Sequence, residues 1–202
     1  MLKLVLAVVC SCGSMMGATL ALNATGITEA TAFGSFTTGW MFSSSNPLNV
    51  TALGYYDSGG DGLADTHDVG IFTSGGVLLV STTVPSGTAG TLEASWRFAD
   101  ISPFLLPAGT YVIAGTTVDT SADLITTFGN TTLAVGLTLL DNGLFAIGSD
   151  LTFPTELGNG YYNANFLFDP VDGAIPEPST WVMGASALIL LGLRRVRQGR
   201  AS

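Results

Sequence analysis

Across residues 33–173 no stretch carries convincing helical spacing, whereas short runs repeat apolar and polar residues with period two. Thr91-Leu92-Glu93-Ala94-Ser95-Trp96-Arg97-Phe98 is such a run, with Leu92, Ala94, Trp96 and Phe98 on one face of an expected strand. On that strand Arg97 shares the outer face with Glu93 and Ser95, and it needs a cross-strand acid or solvent. Val69–Thr73 and Val77–Val84, joined by Ser74-Gly75-Gly76, have the form of a hairpin. Further strands are expected at 35–42, 49–56, 110–117, 131–140, 143–148 and 163–168. Pro107-Ala108-Gly109, Asp141-Asn142-Gly143 and Gly158-Asn159-Gly160 supply turns, and Ser121–Thr127 has room for a single helical turn. Eight or nine short strands without an internal repeat predict an all-β domain, a β-sandwich of jelly-roll type.

Charge narrows the function. Residues 33–173 hold thirteen acids against one base, Arg97, a formal charge of −12. Such a surface repels phosphate backbones and excludes nucleic acid, while leaving cations and neutral sugars as partners. Charged residues make up 10% of the whole chain, well under the usual ~25%. Thr, Ser and Gly solvate the domain instead, in the manner of extracellular β proteins.

The two ends differ from the middle. Lys3 precedes an apolar stretch that begins at Leu4–Val9 and continues with small residues to Leu22, the pattern of a secretory signal peptide over 1–24. Ala24 and Ala32 both fit as cleavage points, Ala24 by its nearness to the apolar core and Ala32 by Ala30-Thr31-Ala32. Cys10 and Cys12 fall inside the signal, so the processed chain has no thiol chemistry. At the other end, Pro176-Glu177-Pro178 leads into the apolar run Trp181–Leu193 and then into Arg194, Arg195, Arg197 and Arg200. The thirteen apolar positions make roughly 20 Å of helix against a bilayer core of about 30 Å, a marginal transmembrane helix. Arginines beside such a run stay on the cytoplasmic side, which puts the acidic body on the far side. The two prolines hold the motif extended, as suits a peptide entering an enzyme cleft.

Residues 174–200 resemble the PEP-CTERM sorting signal of Gram-negative bacteria in motif, spacing, terminal placement and charge; Ile175 stands where family members often have Val. The resemblance implies sorting and processing by an exosortase, after signal peptidase has acted at the front. It also implies an inner-membrane-anchored intermediate, delivery to the cell surface or matrix, and a setting of exopolysaccharide and biofilm. The body is similar, more loosely, to ectodomains that accompany such tails. Leu53-Gly54-Tyr55-Tyr56-Asp57, Gly60-Asp61-Gly62-Leu63, His67-Asp68-Val69-Gly70-Ile71 and Leu106-Pro107-Ala108-Gly109-Thr110-Tyr111-Val112-Ile113 carry that similarity. It implies a β-sandwich, residues 33–173, with no established catalytic activity.

Three groups of residues could carry chemistry. Asp57, Asp61, Asp65 and Asp68 occupy positions 1, 5, 9 and 12 of a twelve-residue loop with Gly62 at position 6, the oxygen positions of an EF-hand-like calcium loop. Gly59 at position 3 and the short Asp68 at position 12 depart from that pattern, and a solvated acidic turn between strands fits the residues better. His67, the single histidine, has no second His for a zinc site and no G-x-S-x-G elbow beside it. Glycoside hydrolysis would have few candidates, because Glu93 and Glu156 are the two Glu of the domain. Tyr55 and Tyr161, each in a tyrosine pair with one member expected to face outward, are candidate sugar contacts. Trp40, Tyr56 and Tyr162 could join such a platform, and Trp96 belongs on an apolar face. The reading that follows is a non-enzymatic exported protein with a structural or adhesive role; the alternative is a carbohydrate-binding or calcium-dependent recognition module.

Overall fold

The computed structural model describes residues 17–158 and 160–171. The sorting motif, the apolar run and the arginines at 176–200, and the signal core at 1–16, lie outside the described residues. Among the described residues no helix is long and apolar enough to cross a membrane.

The fold is all-β, sandwich-like and antiparallel throughout. Its strands are β1 (Thr19–Leu20), β2 (Leu22–Thr31), β3 (Phe36–Ser44), β4 (Leu48–Tyr56), β5 (His67–Thr73), β6 (Leu78–Val84) and β7 (Thr91–Glu93). They continue with β8 (Trp96–Leu106), β9 (Gly109–Thr117), β10 (Leu124–Leu133), β11 (Leu137–Ile147), β12 (Glu156–Leu157) and β13 (Ala164–Pro170). One sheet runs β1-β13-β4-β8-β7, a second β12-β11-β3-β9-β5-β6, and β10 pairs with β2 as a separate ribbon.

The two large sheets meet over an aromatic core. Trp40 and Phe42 of β3 pack on Phe166 of β13, and the Trp40 indole donates to the Ala164 carbonyl at 2.7 Å. That bond satisfies the one polar atom of a fully buried ring, so the hydrophobic gain of burial is kept. Gly54 serves the core by having no side chain: a Cβ there would lie 2.4 Å from the Phe98 ring.

The six-stranded sheet is covered on its other face as well. Phe72, Val112, Ala114 and Leu144 form a second apolar cluster against Leu151 and Phe153 of the segment after β11. Thr37 Oγ1 fixes that segment, donating to the Asp150 carbonyl and accepting from Thr152 N. Burial on both faces explains why Val69–Phe72 and Val112–Ala114 are continuous buried runs and not alternating ones.

Four expectations are corrected. Thr91–Phe98 is not one strand but a hairpin, in which Ala94 turns at φ 52° and Glu93 pairs with Trp96. Residues 131–140 and 143–148 do not form two strands around an Asp-Asn-Gly turn. The first opens in β10 and ends in β11, the second lies in β11 up to Ile147, and within β11 Asp141-Asn142-Gly143 is a bulge where Asp141 Oδ1 accepts from Gly143 N. Ser121–Thr127 is not helical; β10 starts within it and ends at Leu133. The sheets also begin well before residue 33. Thr19 pairs with Phe168, and β2 pairs along β10 from Leu22 to Thr31. Asn165 clasps the Leu22 backbone on both sides, Asn163 accepts from Thr126, and Tyr56 donates to Glu29 at 2.6 Å. A cut after Ala24 would divide β2, and one after Ala32 would remove it whole.

Candidate functional site: the acidic loop and its two buried ties

The loop between β4 and β5 is closed at both ends by buried hydrogen-bonded pairs, Asp57 with Arg97 and His67 with Asp123. At its start, Asp57 follows the last residue of β4 and its amide donates to the Ser95 carbonyl. Arg97 stands in register with Tyr55 on the neighbouring strand, and Tyr55 faces the opposing sheet. Arg97 therefore points inward, not to the outer face with Glu93 and Ser95 that a straight strand would give it. Its Nε and Nη2 both meet Asp57 Oδ2, at 2.8 and 2.6 Å, while Nη1 and Nη2 donate to the Gly90 and Gly60 carbonyls. Asp57 Oδ1 accepts from Gly62 N. Side-chain exposures of 4% and 1% make this a desolvated pair whose polar atoms are nearly all engaged.

At the loop's end His67 is fully buried. Its ring lies flat on Tyr55, centroids 3.6 Å apart and planes within 2°. Nδ1 faces the Thr116 carbonyl at 2.7 Å and Nε2 faces Asp123 Oδ2 at 3.0 Å. Both partners are acceptors, so both bonds form together only when both ring nitrogens carry hydrogen. Asp123 also accepts from the amides of Ala64 and Asp65, each at 2.9 Å. Burial pushes the Asp123 carboxyl up, but the bonds from His67, Ala64 and Asp65 outweigh it and hold the group below its ordinary value.

A depressed carboxyl gives stability that is present above the unfolded value near 3.9 and is lost as pH falls through the lower folded value. Asp123→Asn should therefore lower the melting temperature at pH 7 by roughly 5 °C, from about 2 kcal/mol of charge-assisted bonding. The gap between variant and wild type should narrow below about pH 4. A gap independent of pH in thermal melts would rule the carboxylate out as its source.

The four loop carboxylates do not converge. Asp57 is buried against Arg97, Asp61 is exposed, and Asp65 offers its backbone amide to Asp123. Asp68 is exposed and accepts from Thr83 Oγ1 at 2.5 Å. Among the described residues no group of three or more His, Cys, Asp or Glu is placed to hold a metal ion. The calcium spacing is a property of the sequence that the fold pulls apart, because an arginine outcompetes a cation for position 1 and strand alternation turns position 12 away.

The histidine's carboxylate is Asp123, not Asp65 or Asp68. No local signal could have named it, since the partners lie 56 positions apart. Glu93 and Glu156 occupy β7 and β12, end strands of different sheets. Tyr55, expected as a sugar contact, is fully buried in the His67 stack, and Trp40, Trp96, Tyr56 and Tyr162 are buried too. Of the expected sugar contacts, Tyr161 alone keeps a partly open face.

The family model described as Domain of unknown function (DUF4082) matches residues 23–168. The chain belongs to the DUF4082 family. No curated protein and no solved structure matches it. The DUF4082 match opens inside β2 and closes inside β13, so it takes in both buried ties and the ribbon that the signal-peptide boundaries would have cut.

Proposed function

We propose that this DUF4082 protein is an exported, non-enzymatic surface or matrix component of a Gram-negative bacterium, with a structural or adhesive role beside exopolysaccharide. Its domain is a β-sandwich of jelly-roll type. The observation that carries the reading is the order of parts at the end of the chain: Pro176-Glu177-Pro178, an apolar run, then Arg194, Arg195, Arg197 and Arg200. Exosortase is the processing partner, signal peptidase acts at the front, and a membrane-anchored form precedes release to the surface. The described domain is consistent with this role. Its buried ionisable groups at the acidic loop are tied into structural bonds, and a Thr-, Ser- and Gly-rich surface suits an extracellular setting.

The test is to express the full chain and a Pro176→Ala/Glu177→Ala/Pro178→Ala variant in a host with an exosortase. Wild type is expected in the surface or medium fraction with a shortened C-terminus by mass spectrometry. The variant should stay in the inner membrane at full length. An intact wild-type polypeptide, soluble in the cytosol with neither end cut, would overturn the proposal.

A further inference from the structure

A row of four aromatic rings starts beside the His67 tie, where Phe36 is in register with Thr117, the neighbour of the Thr116 that holds His67. Phe33, from the β2–β3 connection, meets Phe36 edge to face at 6.2 Å. Phe36 meets Phe145 of β11 at 6.3 Å, and Phe145 meets Tyr161, just before β13, at 6.3 Å. Each ring meets the next edge to face, so the four form one continuous chain of contacts.

The row exists because the six-stranded sheet outruns its partner. Phe36 has the same strand parity as Trp40 and Phe42, which point into the core. Ile147 is in register with Phe36, and Phe145 with Thr38, so these side chains continue the core-facing side of that sheet. Trp40 already reaches Ala164, the first residue of β13, so nearer the Phe36 end the loop carrying Tyr161 takes the place of a strand. The result is apolar surface left open: Phe33 is 86% exposed and Ile147 81%. Isolated exposed apolar residues need no explanation, but an ordered row of them marks a contact surface.

The Tyr161 end of the row is tied to the sheet. Tyr161 N donates to the Asn142 carbonyl and Gly158 N to the Gly143 carbonyl, tying the Tyr161 loop to the β11 bulge. A Cβ on residue 158 would lie 2.7 Å from the Tyr161 ring, so glycine there lets the ring lie against the backbone. A ring tied down in this way loses little freedom on binding.

Charge selects the occupant. Arg97, the one cation between residues 21 and 192, is buried on Asp57, so an anionic polymer or lipid surface finds no counter-charge along the row. A second copy brings the same excess of carboxylates and is repelled. Neutral sugars meet no such penalty. Their C–H faces carry the slight positive charge that an aromatic face attracts. Glu156, exposed and in register with Phe145, is placed to accept from sugar hydroxyls. We infer that Phe33, Phe36, Phe145 and Tyr161 form a contact strip for a neutral, linear polysaccharide, with Glu156 as a hydroxyl acceptor at its side. The strip deepens the proposed link to exopolysaccharide, yet it rests on ring geometry and not on the sorting tail. Each can fail without the other.

Native affinity electrophoresis of the full-length protein tests it, in gels containing hydroxyethylcellulose, galactomannan or, as the anionic control, alginate. Retardation is expected with at least one neutral polymer and not with alginate. Phe33→Ala and Tyr161→Ala should each weaken the apparent affinity roughly threefold to tenfold, and the double variant should lose retardation. Phe33 is so exposed that its truncation leaves the fold intact, which an unchanged melting temperature of Phe33→Ala will verify. No retardation by either neutral polymer, retardation unchanged in the double variant, or equal retardation by alginate would each overturn the inference. So would concentration-dependent dimers in sedimentation that the double variant abolishes, since the strip would then belong to a second copy.

Discussion

Arg97→Met is expected to lower the melting temperature by roughly 10 °C, and Asp57→Ala by a similar amount, although neither side chain is visible from outside. The methionine keeps the apolar stem of Arg97 but leaves the Asp57 carboxylate buried with its counter-charge gone. The Gly60 and Gly90 carbonyls lose their donors in the same step. Breaking one side of a buried pair costs about 3–5 kcal/mol, and each kcal/mol moves the midpoint by about 2–4 °C in a domain of this size. Asp57→Asn should be milder, because its side-chain oxygen can still accept from Gly62 N. The double variant Asp57→Asn/Arg97→Met should be more stable than the sum of the two single losses predicts, since no lone charge remains inside. Thermal melts of the four proteins decide it. A loss under about 1 kcal/mol for Arg97→Met would mean that the guanidinium contributes no more than an ordinary surface residue.

Arg97 also shows how far local pattern reaches. Its solitude was plain in the sequence, as was its need for an acid on a neighbouring strand. The face was misassigned because Ala94, a residue without turn chemistry, takes positive φ and starts a new strand at Trp96. Period-two reasoning holds only while the chain stays extended, and nothing in Glu93-Ala94-Ser95-Trp96 announces the reversal.

Elsewhere the strands whose turns use glycine or proline were legible. Ser74-Gly75-Gly76 links β5 to β6, and Pro107-Ala108 links β8 to β9. Asp141-Asn142-Gly143 carries the same chemistry but sits inside β11, where pairing on both sides absorbs it as a bulge. Pro103 lies within β8, at a place where the register against β4 shifts between Val50 and Ala52; the irregularity there accommodates a residue with no amide hydrogen. Of the site, the acidic loop was legible as a cluster and illegible as a set of destinations. The Asp57 carboxylate goes to a guanidinium, that of Asp68 to a threonine and that of Asp61 to solvent, while Asp65 gives its amide to Asp123; tertiary partners arriving from residues 83, 97 and 123 decide three of the four.

The N-terminal boundary has the largest consequence. A fragment starting at residue 33 is expected not to fold cooperatively, whereas 17–171 should give a single sharp thermal transition. Without β1 and β2, the backbone of β10 loses eight paired positions and stands as an unpartnered strand. Leu22, fully buried, leaves the core together with Ala21 and Ala24, and a buried leucine alone contributes about 2 kcal/mol. The side-chain amide of Asn165 is left buried without the Leu22 backbone it clasps on both sides, a further penalty of about 1–3 kcal/mol. These losses together rival the whole stability of an ordinary domain. The apolar residues up to Leu22 thus serve two ends, the tail of a signal-like stretch and the first strands of the fold. Any signal peptidase cut that leaves a working domain must fall before Thr19; a cut after Ala18, a small residue, satisfies this and Ala24 and Ala32 do not. On the proposed export route, the mature chain should accordingly begin at Thr19 or earlier by N-terminal mass spectrometry. A mature chain beginning at Thr25 or Phe33, melting as sharply as 17–171, would show that β2 is dispensable.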